Sequence, residues 1–173
     1  MKISTVLKFA ALSAALMVGA CTTKQQAASA PPPPMAAAAP APAPMAPGIL
    51  PGSLQDFKVN VGDTVHFAYN EYNVQDTDKA TLQKQATWLN KYPQVAITVE
   101  GHADERGTRE YNLALGARRA NAVKEFLVSL GVSNSRLQTV SYGKERPICT
   151  ESSEDCYAQN RRGVSTITSG ASS

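Results

Sequence analysis

From residue 53 onward the chain switches between two hydrophobic periods, and the switches mark its elements. Phe57, Val59 and Val61 alternate with polar neighbours, and so do Val65 and Phe67 after Gly62-Asp63. A period of two predicts two short strands around a two-residue turn that opens on glycine. From about Thr77 to Lys91 the period lengthens: Leu82, Ala86, Leu89 and Tyr92 form one helical stripe. Asp76 or Thr77 can cap this helix, and Pro93 marks its end. Val95, Ile97 and Val99 return to alternation and predict a strand. A second, longer helix is predicted from Arg109 to Leu130, with Thr108 as N-cap and Gly131 as the stop. Leu137 to Tyr142 is the next strand, residues 143–156 a loop, Tyr157 to Arg161 a helical turn, and Val164 to Thr168 a last, β-branched strand. This order predicts an α+β sandwich, a mixed sheet with its helices packed on one side.

The polar chemistry concentrates between the third strand and the long helix. The loop Gly101-His102-Ala103-Asp104-Glu105-Arg106-Gly107 has glycines at its ends that permit tight bends, carries two carboxylates and a cation, and sits just before a helix N-terminus. On a wheel of 100° per residue, Leu113, Ala117, Ala120, Val123, Leu127 and Leu130 share one apolar face, with Arg118 pointing away. Arg119 falls on the edge of that face, where a guanidinium needs an anionic partner. Two partners fit: an internal carboxylate such as Asp104, or a ligand.

Charge and composition change the picture mainly at the N-terminus. Of 17 Lys and Arg, Lys2, Lys8 and Lys24 precede residue 53, leaving 14 against 14 Asp and Glu in the predicted domain. The basic pI therefore belongs to the leader, and a nucleic-acid footprint is not expected. Residues 1–20 read as a secretory signal: a basic start, then an apolar run, Phe9 to Val18, too short to span a bilayer. Val18-Gly19-Ala20-Cys21 resembles a bacterial lipobox, which implies cleavage after Ala20 and a lipidated Cys21; the plain alternative is an ordinary signal with an incidental cysteine. Each buried methylene of an acyl chain contributes about 0.8 kcal/mol to membrane anchoring. Residues 22–52, rich in Pro and Ala, predict a tether that reaches roughly 95 Å if extended and roughly 30 Å if coiled. The folded domain is expected over residues 53–168, and residues 169–173 as a disordered tail. In an exported chain, Cys149 and Cys156 predict a disulfide worth roughly 2.5 kcal/mol by loop entropy; free thiols or a redox pair are the alternatives.

GHADERGTREYNLALGARRANAV, then VSYGKERP, then NRRGV resemble, in the right order, the OmpA-like domain family and within it the peptidoglycan-associated lipoproteins. The resemblance spans about residues 57–168 and implies the βαβαβ OmpA-like fold. It implies an outer-membrane lipoprotein whose periplasmic domain grips peptidoglycan without a covalent bond, in a Gram-negative envelope, and no cofactor. Thr22 after Cys21 fits export to the outer membrane. The family recognises diaminopimelate, whose side chain ends in an ammonium and a carboxylate on one carbon. The motif places the anion at Asp104 and the cation at Arg119, with Arg106, Thr108 and Asn112 along the same groove; a guanidinium forks well onto a carboxylate. Family members commonly carry Phe-Asp where this chain has Tyr69-Asn70, so Tyr69 and Asn70 are expected in the groove with an amide in place of the carboxylate. Membership of the Tol-Pal system, with TolB and TolA as partners and a part in outer-membrane constriction during cell division, is a further implication.

Other functions fit less well. A peptidoglycan hydrolase could use Asp104, Glu105 and His102 as acid and base, but neighbouring side chains on an extended loop point apart and no activated nucleophile is evident. A wall-binding module of another envelope complex, such as a flagellar stator, would need a transmembrane helix, and a porin would need preceding strands. His66 and His102 are far apart and have no metal-ligand motif, so no metal is expected. For Asn160-Arg161-Arg162 the simplest role is to tie the last turn to the sheet through guanidinium hydrogen bonds.

Overall fold

The computed structural model describes residues 48–172. The expected signal, Cys21 and the tether up to residue 47 lie outside them. Where alternation predicted a first strand, the chain is helical: α1 spans Leu54–Asp56 and runs on as a π-helix, Phe57–Val61. Two polar residues explain the difference. Ser53 caps the start by accepting from the Asp56 N–H. Asp56 is 7% exposed, and its carboxylate accepts from Gly52 N–H, Asn60 Nδ2 and Trp88 Nε1, each at 2.8 Å. Helical spacing brings Asn60 back onto Asp56, which an extended strand would not do. Val59, the middle residue of the alternation, is exposed, whereas Phe57 is sealed and packs at a tilt against Trp88, with ring centroids 4.9 Å apart. The π-helix closes with Gly62 N–H donating to Phe57 O, so Gly62-Asp63 is a helix exit and not a hairpin turn.

β1 (Thr64–His66) therefore pairs not with its sequence neighbour but with the last strand, β4 (Arg162–Ser169). α2 (Asp76–Lys91) begins at Asp76 after Gln75, without a side-chain cap. β2 (Ala96–His102) leads through the polar loop to α3 (Arg109–Ser129). A 3-10 turn, Asn134–Arg136, precedes β3 (Leu137–Gly143), and α4 (Glu154–Asn160) precedes β4. The sheet order is β1-β4-β2-β3, with β2 parallel to β3 and the other two pairs antiparallel. It is the mixed sheet of the expected α+β class. Ile97 and Val99 face a core shared with Leu82, Leu89, Val123 and Leu127 of the two long helices, while Thr98 and Glu100 are half-buried on the other face. Burying that apolar face against both helices is what holds the layers together. Ser172, expected in a disordered tail, donates its N–H to Gly52 O and bridges Ser53.

The buried face of α3 differs from the apolar wheel. Leu113 is 49% exposed, and the sealed positions are Asn112, Leu115, Gly116, Arg119, Ala120, Val123 and Leu127. The wheel counted only apolar residues, but the first half of this helix buries a glycine and two polar side chains. Gly116 lies against Gly101 of β2, where a Cβ on Gly101 would stand 1.8 Å from Gly116 O. Two glycines thus let helix and strand backbones touch, and this contact sets the rotation of α3. Thr108 caps α3 by accepting from Tyr111 N–H, and Gly131 ends it at φ +90°.

A candidate zwitterion-binding groove

β2 and α3 together deliver the loop 103–107 against the exit of β1. Among the described residues, a cavity of about 120 Å³ opens there, lined by Tyr69, Asn70, Asp104, Arg106, Gly107, Tyr111, Asn112, Leu115 and Arg119. A larger groove of about 490 Å³ lies between Leu113, Tyr142 and Glu145, but its charged pair, Arg109 and Glu145, is exposed and self-satisfied. The smaller cavity has the buried charge.

Asp104 is 5% exposed. Its partners are Arg106, with Nη2 at 2.6 Å from Oδ2, and Arg161, with Nη1 at 3.3 Å. Burial by itself would raise the carboxyl; hydrogen bonds from the Arg106 side chain and backbone, the Arg106 charge and the Arg161 hydrogen bond outweigh it and hold Asp104 below the usual carboxylate range. It is an anion at neutral pH.

Arg119 is fully buried, and the internal ion pair with Asp104 is not what holds it. Its Nε donates to Glu71 O at 2.8 Å, Nη1 to His102 O at 2.8 Å and Nη2 to Ala68 O at 3.1 Å. Its charge also lies over the Phe67 ring. Burial lowers its pKa to about 10, with the Asp104 charge acting the other way, so it stays cationic at neutral pH. Three carbonyls from two segments make Arg119 a clamp: it fixes the loop after β1 to the end of β2. That loop carries Tyr69 and Asn70. Asn70 sits at φ +60°, a region asparagine tolerates better than most residues, and its amide oxygen accepts from the Tyr111 hydroxyl.

Of the residues expected in the groove, Tyr69, Asn70, Asp104, Arg106, Asn112 and Arg119 come together. Thr108 does not line the cavity; its hydroxyl is used by the helix cap. Asn112 donates to Arg106 O and so closes the loop onto α3. The sequence did not reveal α4 as a wall. Glu154 pairs with Arg106 and Arg161, and Tyr157 places its ring 4.3 Å from the Arg106 guanidinium, opposite Tyr69 at 4.2 Å. The tyrosine hydroxyl donates to Glu105, as does Ser152. Cys149 and Cys156 form a disulfide at the base of this helix, and Asn160 bonds the same segment at Ile148 and Cys149. Arg161 also donates from Nε to Phe67 O, so the NRR stretch ties the last turn to the sheet and to Asp104 at once. The only sequence sign of this was the cluster of arginines itself.

His102 is sealed behind the loop. Burial first, then the charges of Arg162 and Arg146, lower its pKa to about 4, so it is neutral. Its Nε2 is 3.5 Å from Glu100, and neither ring nitrogen has a hydrogen-bond partner among the described residues. Among the residues that line the cavity, Asp104 is the one carboxylate, and the side chains it meets are the guanidiniums of Arg106 and Arg161. The arrangement suits binding: fixed charges of both signs, aromatic walls and a helix N-terminus.

The OmpA family model matches residues 66–161. The peptidoglycan-associated lipoprotein of Mesorhizobium japonicum is 59% identical over 123 residues, covering 71% of this chain and 73% of that protein. That of Agrobacterium fabrum is 58% identical over 121 residues, covering 70% and 68%. Among solved structures, the peptidoglycan-associated lipoprotein from Burkholderia pseudomallei superposes with a TM-score of 0.60 at 44% identity, covering 61% of this chain and 90% of that one. The C-terminal domain of Helicobacter pylori MotB does so with a TM-score of 0.58 at 25% identity, covering 62% and 84%. With a groove assembled from the same motifs that carried the resemblance, the chain belongs to the OmpA family, on its peptidoglycan-associated lipoprotein branch.

Proposed function

We propose that this chain binds peptidoglycan non-covalently through the groove at Asp104 and Arg119, and that a lipidated Cys21 and the Pro/Ala-rich tether join that grip to the outer membrane. The ligand is the diaminopimelate residue of a stem peptide, its ammonium taken by Asp104 and its carboxylate by the cationic side of the groove. The observation that carries the reading is a buried anion and a buried cation lining one small cavity, since a zwitterionic carbon needs both within one site. Relatives named for association with peptidoglycan support it. The function is mechanical linkage of envelope layers within the Tol-Pal system, with TolB and TolA as partners and outer-membrane constriction at division as the setting. TolB and peptidoglycan are expected to compete for this surface.

The test is cosedimentation with isolated peptidoglycan sacculi. Asp104→Asn removes the anion and keeps the shape; the folded variant is expected to stay in solution while the wild type pellets. Equal pelleting of the two would show that Asp104 is an internal partner of Arg106 and Arg161 and nothing more. Arg119→Ala is a poor probe by itself, because it also strips three carbonyls of their donor.

A further inference from the structure

In the free groove the Asp104 carboxylate is already fully occupied. Oδ1 accepts from the Arg106 N–H at 3.1 Å and from Arg106 Nε at 3.2 Å. Oδ2 accepts from Arg106 Nη2 at 2.6 Å and from Arg161 Nη1 at 3.3 Å. A carboxylate offers about four acceptor sites, so no site is left for an ammonium. Arg161 is fixed: its side chain is 8% exposed and also engages Phe67 O and Glu154. Arg106 is different. Its side chain is 34% exposed, its guanidinium lies between the Tyr69 and Tyr157 rings, and its Nη1 already reaches Glu154 at 3.3 Å. A second seat for this cation is therefore in place on α4, next to the first, and the disulfide and Asn160 hold the base of that helix.

We propose that Arg106 is a resident counter-ion which the ligand's ammonium displaces from Asp104 onto Glu154 and Tyr157. The proposal rests on the wall-binding reading above and adds the determinant of its specificity. A ligand with only a carboxylate gives Asp104 nothing in exchange for the guanidinium, and a buried carboxylate losing its main donor is costly. A ligand with an ammonium exchanges one cation for another, and the displaced guanidinium keeps an anion and an aromatic face. The groove thus opens to an amino acid side chain that ends in both charges and stays shut to one that lacks the ammonium.

The test uses the full chain in detergent micelles and calorimetric titration with two soluble stem peptides. One carries diaminopimelate; the other is the same peptide with that side-chain ammonium acetylated. Arg106→Gln removes the competitor and is expected to bind the ammonium-bearing peptide about fivefold tighter than the wild type, with no gain for the acetylated peptide. Glu154→Gln removes the second seat and is expected to bind several-fold weaker. Unchanged or weaker binding of the ammonium-bearing peptide by Arg106→Gln overturns the proposal, because Arg106 is then an ordinary ligand contact. The wild type supplies a check that needs no variant: the Arg106 Nε–H resonance should move on addition of the ammonium-bearing peptide. A resonance that stays in place while the peptide binds overturns the displacement alone. A wild type that binds neither peptide overturns the wall-binding reading beneath it.

Discussion

Arg119→Met isolates the carbonyl clamp. Methionine is close to arginine in length and fills the same space with no N–H donor. Replacing a buried charge by an apolar side chain can be neutral or even stabilising when its charged partner goes too. Here the partners are backbone carbonyls, which remain. The bond to His102 O is buried, so that oxygen loses its donor to no solvent, at about 1–3 kcal/mol. The bonds to Glu71 O and Ala68 O are part-buried, and water can replace them in part, at about 0.5–1.5 kcal/mol each. Relief from desolvating the guanidinium offsets some of this, which leaves a net loss of about 3 kcal/mol. Trp88 is the only tryptophan of the chain and is 7% exposed, so its fluorescence reports unfolding. With a urea slope of about 2 kcal/mol/M, the midpoint should fall by roughly 1.5 M. A midpoint within roughly 0.3 M of the wild type would refute the clamp. Because the clamp also places Tyr69 and Asn70, the folded variant should lose sacculus binding even where its core is intact.

Other outcomes follow from the same contacts. Gly101→Ala should cost about 3 kcal/mol and lower the melting temperature by roughly 10 °C in calorimetry, because its Cβ meets Gly116 O, which is backbone and has no rotamer to yield. His102 has a folded pKa of about 4, below its ordinary 6.5, so the unfolded chain binds the extra proton between those values. The stability this group contributes is complete above about pH 6.5 and is lost as pH falls through its folded pKa, a difference of roughly 3 kcal/mol. Urea unfolding at pH 7 and pH 4.5 should show that slope, and a folded His102→Gln variant should flatten it. Removing the disulfide by Cys149→Ser with Cys156→Ser should cost no more than about 2.5 kcal/mol in urea unfolding, and less if the three Asn160 bonds hold the loop unaided.

The sequence by itself determined the elements whose signals are local. Alternation at Val95, Ile97 and Val99 marks β2, the stripe of Leu82, Ala86 and Leu89 marks α2, and Thr108 and Gly131 bracket α3, because strand pleat, helix period and caps are properties of a few neighbouring residues. It also marked Arg119 as a cation in need of a partner. Tertiary structure decided what depends on distant residues. Phe57 to Val61 alternate like a strand, yet Trp88, 32 positions from Asp56 along the chain, donates to Asp56, and the segment is a helix. The buried face of α3 was set by the meeting of Gly101 and Gly116, not by its leucines. The partners of Arg119 are main-chain carbonyls, which every residue has and no pattern of side chains can announce. The wall of the groove at Glu154 and Tyr157 belongs to a helix about fifty residues beyond Arg106, brought there because β4 must return between β1 and β2. Side-chain periodicity is written along the chain; which carbonyl or carboxylate a buried arginine meets is fixed only when the sheet closes.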